Sequence, residues 1–275
     1  MTEPGDGSFD ALVLAADRGP NDPVARAAGV ACKALAPVAG RAMVLRVLDA
    51  LQASRSVRRV LLCGPAREIL EAASELSSRL EPGRVDWIAP QPGPSASAAA
   101  GLAALGGERP VLLTTADHAL LQPALVDRFA ALARGRALDA AIGLVEYETV
   151  RRAWPDTRRT VTRLRGGGYC GTNLFAFPGP AGRRLLEQWQ RVEAQRKRPW
   201  RVIAGMLGPL GVLAYLTGTL SLEQALARLS RRLDLRLGAV LLDEPEAAVD
   251  VDTPEDLRLA EALLERRVPA SGSDR

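Results

Sequence analysis

The chain has 275 residues, 47% hydrophobic and 25% charged, which is enough apolar material for a full core and excludes disorder or a coiled coil as a first reading. Of its 36 basic residues only Lys33 and Lys197 are lysines, and His118 is the single histidine, so a multi-histidine metal cage and a lysine-rich nucleic-acid arm are both excluded. The net charge of +4 comes from scattered arginines. Their short clusters, Arg151–Arg152, Arg158–Arg159 and Arg196–Arg198, read as solvated faces and loops, and the surplus suits an anionic small substrate better than a nucleic acid.

Residues 1–9 are acidic and Gly-rich, lack the basic start and apolar core of a signal peptide, and are expected to form a flexible N-terminus. Asp10–Ala16 reads as a buried strand. Arg41–Ala53 reads as a helix with Val44, Leu45, Leu48 and Leu51 on one face. Strands are then expected at Arg59–Cys63, Val85–Ala89, Val111–Thr115 and Leu138–Val145. Helices over Glu68–Leu80, Ala96–Leu105 and Pro123–Arg134 separate them. Strands spaced by helices of this length imply parallel βαβ units: an α/β fold with a doubly wound, mostly parallel sheet in three α/β/α layers.

The pattern changes after Glu146. Arg159–Arg165 and Thr172–Phe177 read as extended segments around Gly166–Gly168, followed by a helix over Pro180–Arg196. Val202–Leu222 carries no charge, and its Gly208–Pro209 step breaks or kinks any helix there. One reading is two short buried helices. The other, which includes the basic amphipathic Glu223–Leu237, is a surface over 199–237 that meets a membrane or a lipid-linked substrate. Ala239–Leu242 and Ala247–Val251 read as short strands. Thr253–Arg267 closes as a helix, with Thr253 as its N-cap and Pro254, Glu255 and Asp256 in its first turn. Residues 268–275 read as a frayed tail. Without an internal repeat or linker, 10–267 is expected to be one domain, with halves 10–146 and 147–267. Cys32, Cys63 and Cys170 are odd in number and form no CxxC, which fits a reducing cytosol.

In open α/β sheets ligands bind beyond the carboxyl ends of the strands. After strand one, the small Ala15 and Ala16 let a backbone approach a nucleotide closely. Arg18, Arg26 and Lys33 then offer cations to a polyphosphate; the alternative is an ordinary surface loop. After the fourth strand, Asp117 is placed either to hold a divalent cation on phosphate oxygens or to N-cap the next turn, with His118 beside it as a structural residue. Asp250 and Asp252 alternate along an extended segment and share one face. They could supply a second metal carboxylate, or serve helix capping.

Taken in order, these segments resemble the nucleotidyltransferase superfamily with the GT-A-like, Rossmann-like fold, and most nearly the MobA-like NTP transferases. Leu14-Ala15-Ala16 matches the family's L-A-A-G start, with Asp17 in place of the glycine. Arg26 precedes Lys33-Ala34-Leu35 at a family-like spacing. The following run through Met43 is also similar, with Ala42 replacing a proline. The loop Gln91–Ser97 is similar to the one that reads base and ribose. Asp117 matches a metal aspartate, with Ala119 where a proline is usual, and Gly171-Thr172-Asn173 resembles a G-x-N acceptor segment. Asp252–Asp256 resembles the closing D/N-T-P-E-D motif.

The resemblance implies transfer of NMP from an NTP to a phosphorylated sugar, polyol or cofactor, with release of pyrophosphate. It implies Mg²⁺ (or Mn²⁺) on Asp117 and Asp252, with Asp250 in reserve, and triphosphate on Lys33 and Arg26. Leu14, Ala15, Ala16, Asp17, Arg18, Gln91 and Ser95 would contact the nucleotide, and Gly171, Thr172 and Asn173 the acceptor. Asp17 and Ala119 motivate the alternative, a non-catalytic nucleotide sensor on the same fold. The missing G-x-G-x-x-G after strand one argues against a redox Rossmann enzyme.

Overall fold

A computed structural model describes residues 8–15, 21–106, 109–185 and 199–267, with the backbone alone for 199–206. Its centre is an eight-stranded sheet formed by β1 (Phe9–Leu14), β4 (Val57–Cys63), β5 (Val85–Ile88), β6 (Val111–Thr115), β7 (Ala140–Glu146), β8 (Thr162–Leu164), β9 (Gly167–Phe177) and β10 (Leu237–Leu242). The order is β10-β7-β9-β6-β1-β4-β5, and β8 pairs with β9. The contacts β1–β4, β1–β6, β4–β5 and β7–β10 are parallel, while β9 runs antiparallel between β6 and β7. A separate ribbon pairs β2 (Pro37–Val38) with β3 (Arg41–Ala42).

The alternation along β1 divides the core. Phe9, Ala11 and Val13 pack on one face with α2 (Met43–Ala53) and α6 (Pro123–Gly135); Leu12 and Leu14 pack on the other with α5 (Pro94–Leu105). Gly101 lets α5 press onto the sheet, since a Cβ there would lie 2.5 Å from Leu12 Cδ1. The expected three layers are therefore present. A third cluster, built from Val24, Val38, Met43, Ala119, Leu120, Val249 and Val251, ties the chain after β1, after β6 and before the last helix into one unit. It brings distant motifs together above the carboxyl ends of β1 and β6.

Several expected elements differ. The helix over Glu68–Leu80 is two pieces, α3 (Arg67–Ala72) and α4 (Ser74–Ser77), broken at Ala73. Leu70 and Leu76 are both buried, although six residues of continuous helix would turn them to different faces, and the break re-phases them. Two short helices escape the periodicity, α1 (Pro23–Ala28) and α7 (Tyr147–Ala153). For α1 the signal was present: Asp22 caps the N-terminus and Gly29, left-handed, closes the C-terminus.

Ala247–Val251 is not a strand. A 3₁₀ turn, Pro245–Ala248, leads into irregular chain, and the sheet already ends at β10. Val249 and Val251 are nevertheless buried while Asp250 and Asp252 stay partly exposed, so the alternation read from sequence holds without a sheet partner. The final helix, α11, spans Pro254–Arg267.

The helix from Pro180, α8, is described over 180–185. The apolar segment forms α9 (Pro199–Leu216), kinked at Gly208 ahead of Pro209, and α10 (Leu222–Leu233) carries a Ser221–Gln224 capping box. Burial of this region is corrected: Leu210 and Leu216 are 70% and 75% exposed, Leu213 is also exposed, and α10 has no fully buried residue. The basic segment Glu223–Leu237 is not all helical, because Leu237 already starts β10. Among the described residues no helix is long and apolar enough to cross a membrane.

Candidate functional site

Lys33 opens a 3₁₀ turn, Lys33–Leu35, that follows α1 and packs against α2. Its side chain is 11% exposed, and its ammonium donates to Asp117 Oδ2 at 2.7 Å and to Asp252 Oδ1 at 2.5 Å. Burial pulls the ammonium's pKa down, but the charges and hydrogen bonds of Asp117 and Asp252 outweigh it, and the net shift is upward. Lys33 is therefore a fixed cation. An ammonium has three N–H donors, and among the described residues two are engaged, by Asp117 and Asp252.

Asp117 lies two residues past β6 and is oriented by Thr115, whose Oγ1 donates to Asp117 Oδ1 at 2.5 Å. Val251 N donates to the Asp117 carbonyl at 3.1 Å, which docks the acidic segment onto the end of β6. In that segment Asp256 Oδ2 accepts from Thr253 N at 2.9 Å, Thr253 Oγ1 at 2.7 Å and Asp252 N at 3.3 Å; Asp256 N in turn donates to Thr253 Oγ1 at 3.2 Å. This reciprocal cap fixes the backbone at Asp252. Helix capping, the competing role for these acids, thus falls to Thr253 and Asp256, which leaves the Asp117 and Asp252 carboxylates facing Lys33.

Asp250 lies beside this pair. Burial pushes its carboxyl pKa up, and the negative charges of Asp252 and Asp117 push it further. Its Oδ1 is 3.4 Å from Arg159 Nη1. Among the described residues no three His, Cys, Asp or Glu side chains form a metal cage. The donor set that converges is the pair Asp117 and Asp252, whose two oxygens contact one cation position. Paired carboxylates with phosphate oxygens and water are a usual magnesium environment, so the residues present fit a hard divalent ion. His118 is buried, and among the described residues neither ring nitrogen has a hydrogen-bond partner; burial lowers its pKa to about 4 against the pull of Asp117, which favours the neutral ring.

The other expected site residues divide. Leu14 and Ala15 are buried where β1 ends; Ala16, Asp17 and Arg18 lie outside the described residues. Arg26 is exposed in the last turn of α1 and forms no ion pair with the Lys33 cluster. Gln91 sits in an exposed loop anchored by the buried Ser97, whose Oγ receives Gln91 N at 2.9 Å. Ser95 is buried in the first turn of α5, which Gly93 opens at φ 97°.

On β9, Gly171 is exposed, Thr172 is buried, and Asn173 adopts φ 51°. The cause is local. The register of β7 against β9 shifts between Ile142 and Leu144, and a Cβ on the intervening Gly143 would lie 2.3 Å from Thr172 Oγ1. Asparagine tolerates the left-handed conformation this bulge requires. Because Leu113 pairs with Phe175, the register runs Asn173 to the carboxyl end of β6, the end that carries Asp117.

Two participants, Thr115 and Arg159, carry no site signal in the sequence, and Asp256, read there as a first-turn residue and the end of the closing motif, turns out to clamp the backbone at Asp252. The T-x-x-D spacing of Thr253 and Asp256 carried a capping signal. Arg159 falls in a run that reads as solvated, yet its side chain is only 6% exposed and pairs with Asp256 at 2.9 Å.

Residues 11–209 match the model of the MobA-like NTP transferase domain. A solved structure described as a hypothetical transferase from Thermus thermophilus is 32% identical, with TM-score 0.74 over 91% of this chain and 99% of that one. Two others are alike in fold. CMP:2-keto-3-deoxy-manno-octonic acid synthetase complexed with CTP is 14% identical (TM-score 0.58, covering 95% and 100%). The 4-diphosphocytidyl-2C-methyl-D-erythritol synthase of Anaerococcus prevotii is 15% identical (TM-score 0.54, covering 95% and 100%). No curated protein matches the sequence.

Proposed function

The chain belongs to the MobA-like NTP transferase family and is a nucleotidyltransferase, and on that premise we propose that it transfers NMP from an NTP to a phosphorylated small-molecule acceptor, a sugar, polyol or cofactor phosphate, with release of pyrophosphate. The observation that carries this reading is the Lys33 ammonium held between Asp117 and Asp252 at the carboxyl end of the sheet. A synthetase of the same fold was solved with CTP, which supports an NTP as donor here.

An acceptor phosphate oxygen attacks the α-phosphorus in line. The new P–O bond forms as the α–β bridging bond breaks, and the bonding pair leaves with pyrophosphate. The attacking phosphate is already ionised at pH 7, so the chain needs to supply no general base. Its residues position and neutralise. Asp117 and Asp252 would hold Mg²⁺ (or Mn²⁺), which when bound offsets charge on the phosphate oxygens. Lys33 would bind the leaving phosphates, with Arg26 as an outer cation. Leu14, Ala15, Ala16, Asp17, Arg18, Gln91 and Ser95 would contact the nucleotide. Gly171, Thr172 and Asn173 would line the acceptor side; the left-handed backbone of Asn173 at the β9 bulge, near the carboxyl end of β6, supports this.

A pyrophosphate-release screen of four NTPs against phosphorylated acceptors with Mg²⁺ tests the reaction. Release that requires one NTP, one acceptor class and the metal supports it; calorimetric NTP binding without release from any acceptor would contradict it.

We also propose that the acceptor is presented at a lipid surface by α9 and α10. The support is the exposed Leu210, Leu213 and Leu216, with Arg228, Arg231 and Arg232 on the neighbouring helix. Sedimentation with anionic vesicles that is lost in Leu213→Glu would support this; a supernatant equal to that without vesicles would refute it.

A further inference from the structure

Segment 250–256 brings Asp250, Asp252 and Asp256 close to Asp117, and among the described residues two buried cations, Lys33 and Arg159, pair with these four carboxylates. Arg159 lies on the chain between α7 and β8 and reaches both ends of the segment. Nη2 pairs with Asp256 Oδ1 at 2.9 Å; Nη1 bonds the Asp250 carbonyl at 3.3 Å and lies 3.4 Å from Asp250 Oδ1. Between these anchors, Asp256 Oδ2 holds the backbone N–H of Asp252 and Thr253, and the Asp252 carboxylate holds Lys33. On the opposite side, Val251 N is tied to the Asp117 carbonyl.

We propose that Arg159 is a positioning residue. Its guanidinium straddles the segment and sets the Asp252 carboxylate opposite Asp117, and its charge keeps Asp250 and Asp256 from spreading the acidic cluster. This rests on the reading of the Lys33, Asp117 and Asp252 cluster given above. Only a planar fork can engage both ends at once; lysine keeps the charge but reaches one end. Removing such a supporting contact commonly costs about 10–100-fold in metal affinity or activity while the ligands themselves stay in place.

The test uses the full chain with Arg159→Lys, Arg159→Ala and Asp256→Asn. Three quantities are read: kcat and KM for pyrophosphate release, Mn²⁺ binding to the protein alone by electron paramagnetic resonance, and the thermal midpoint. The Lys variant keeps the buried charge and guards against a variant that fails to fold. The expected result for Arg159→Lys is a midpoint near wild type, kcat lowered about 10-fold or more with KM for NTP little changed, and weaker Mn²⁺ binding. Arg159→Ala should be lower still, and Arg159→Lys combined with Asp256→Asn should be no worse than the poorer single variant, because both act on one contact. Wild-type kcat and Mn²⁺ affinity in Arg159→Lys overturn the proposal, as does a loss confined to thermal stability. If the wild-type chain releases no pyrophosphate from any substrate, the transferase reading fails. The Mn²⁺ measurement alone then decides the role of Arg159, and a wild type that binds no Mn²⁺ either overturns it.

Discussion

Replacing Lys33 by methionine preserves most of the side-chain volume and removes the charge between two acids. The oxygens of Asp117 and Asp252 that now share the ammonium are at most about 5 Å apart, and at an effective dielectric near 20 two such charges repel by ~3 kcal/mol. Asp252 is 41% exposed, so solvent screening reduces this to about 2 kcal/mol. Lys33→Met should therefore be about 2 kcal/mol less stable than wild type in urea denaturation with chelator present. It should recover on adding millimolar Mg²⁺, because an ion at the vacated position relieves the same repulsion and binds only the folded state. The wild type, whose ammonium already neutralises the pair, should respond less. Turnover in Lys33→Met should fall about 10²–10³-fold, the scale of losing one preorganised partner for developing charge. Equal stability with and without Mg²⁺, combined with near-normal pyrophosphate release, would refute both the electrostatic argument and the assignment of Lys33.

Gly143→Ala should destabilise by about 1–3 kcal/mol, because its new Cβ would lie 2.3 Å from Thr172 Oγ1 and 3.3 Å from Leu174 Cβ. Adding Thr172→Ala should restore part of the loss in a denaturant melt, and strict additivity would contradict the packing argument. Asp127 accepts Ser54 Oγ at 2.6 Å and Ser56 N at 2.9 Å. These bonds hold its carboxyl below the usual range although burial pushes the other way. Its contribution, about 1 kcal/mol for so solvated a site, is present above the ordinary carboxylate pKa and is lost as pH falls through the depressed folded value. The stability gap between wild type and Asp127→Asn should thus close on acidification; a gap that widens would reverse the sign. Asp252→Asn should lower Mn²⁺ affinity and turnover together by about 10-fold or more, and a change in KM for the acceptor alone would assign it to the wrong substrate.

The sheet was legible because buried strands and amphipathic helices leave different spacings; strand-end logic marked Lys33, Asp117 and Asp252 as candidates beside loop and capping alternatives, and the family resemblance gave them their expected roles. What spacing could not carry was their meeting. Lys33 and Asp252 are 219 residues apart, and their contact depends on the third apolar cluster, to which Val24, Ala119 and Val251 contribute from three distant segments. The buried role of Arg159 was hidden for a related reason. An arginine in a charge run looks solvated until the chain that covers it is known. The exposed leucines of α9 reverse the case, since an apolar stretch gives no sign of whether a partner surface folds over it. The short strand expected at Ala247–Val251 failed because two valines buried by a helix and a loop alternate as they would in a sheet.

Nucleotidyl transfer by the proposed route breaks the bond between the α-phosphorus and the oxygen that bridges it to the β-phosphate. ³¹P nuclear magnetic resonance of the protein with Mg²⁺, its preferred NTP and a phosphorylated acceptor reads this directly. Cleavage there gives a pair of coupled doublets from a new phosphoanhydride, joined by the pyrophosphate singlet in equal amount, and neither should appear in Lys33→Met at matched time. Appearance of NDP with inorganic phosphate, or of NMP and pyrophosphate without a coupled product, would contradict it.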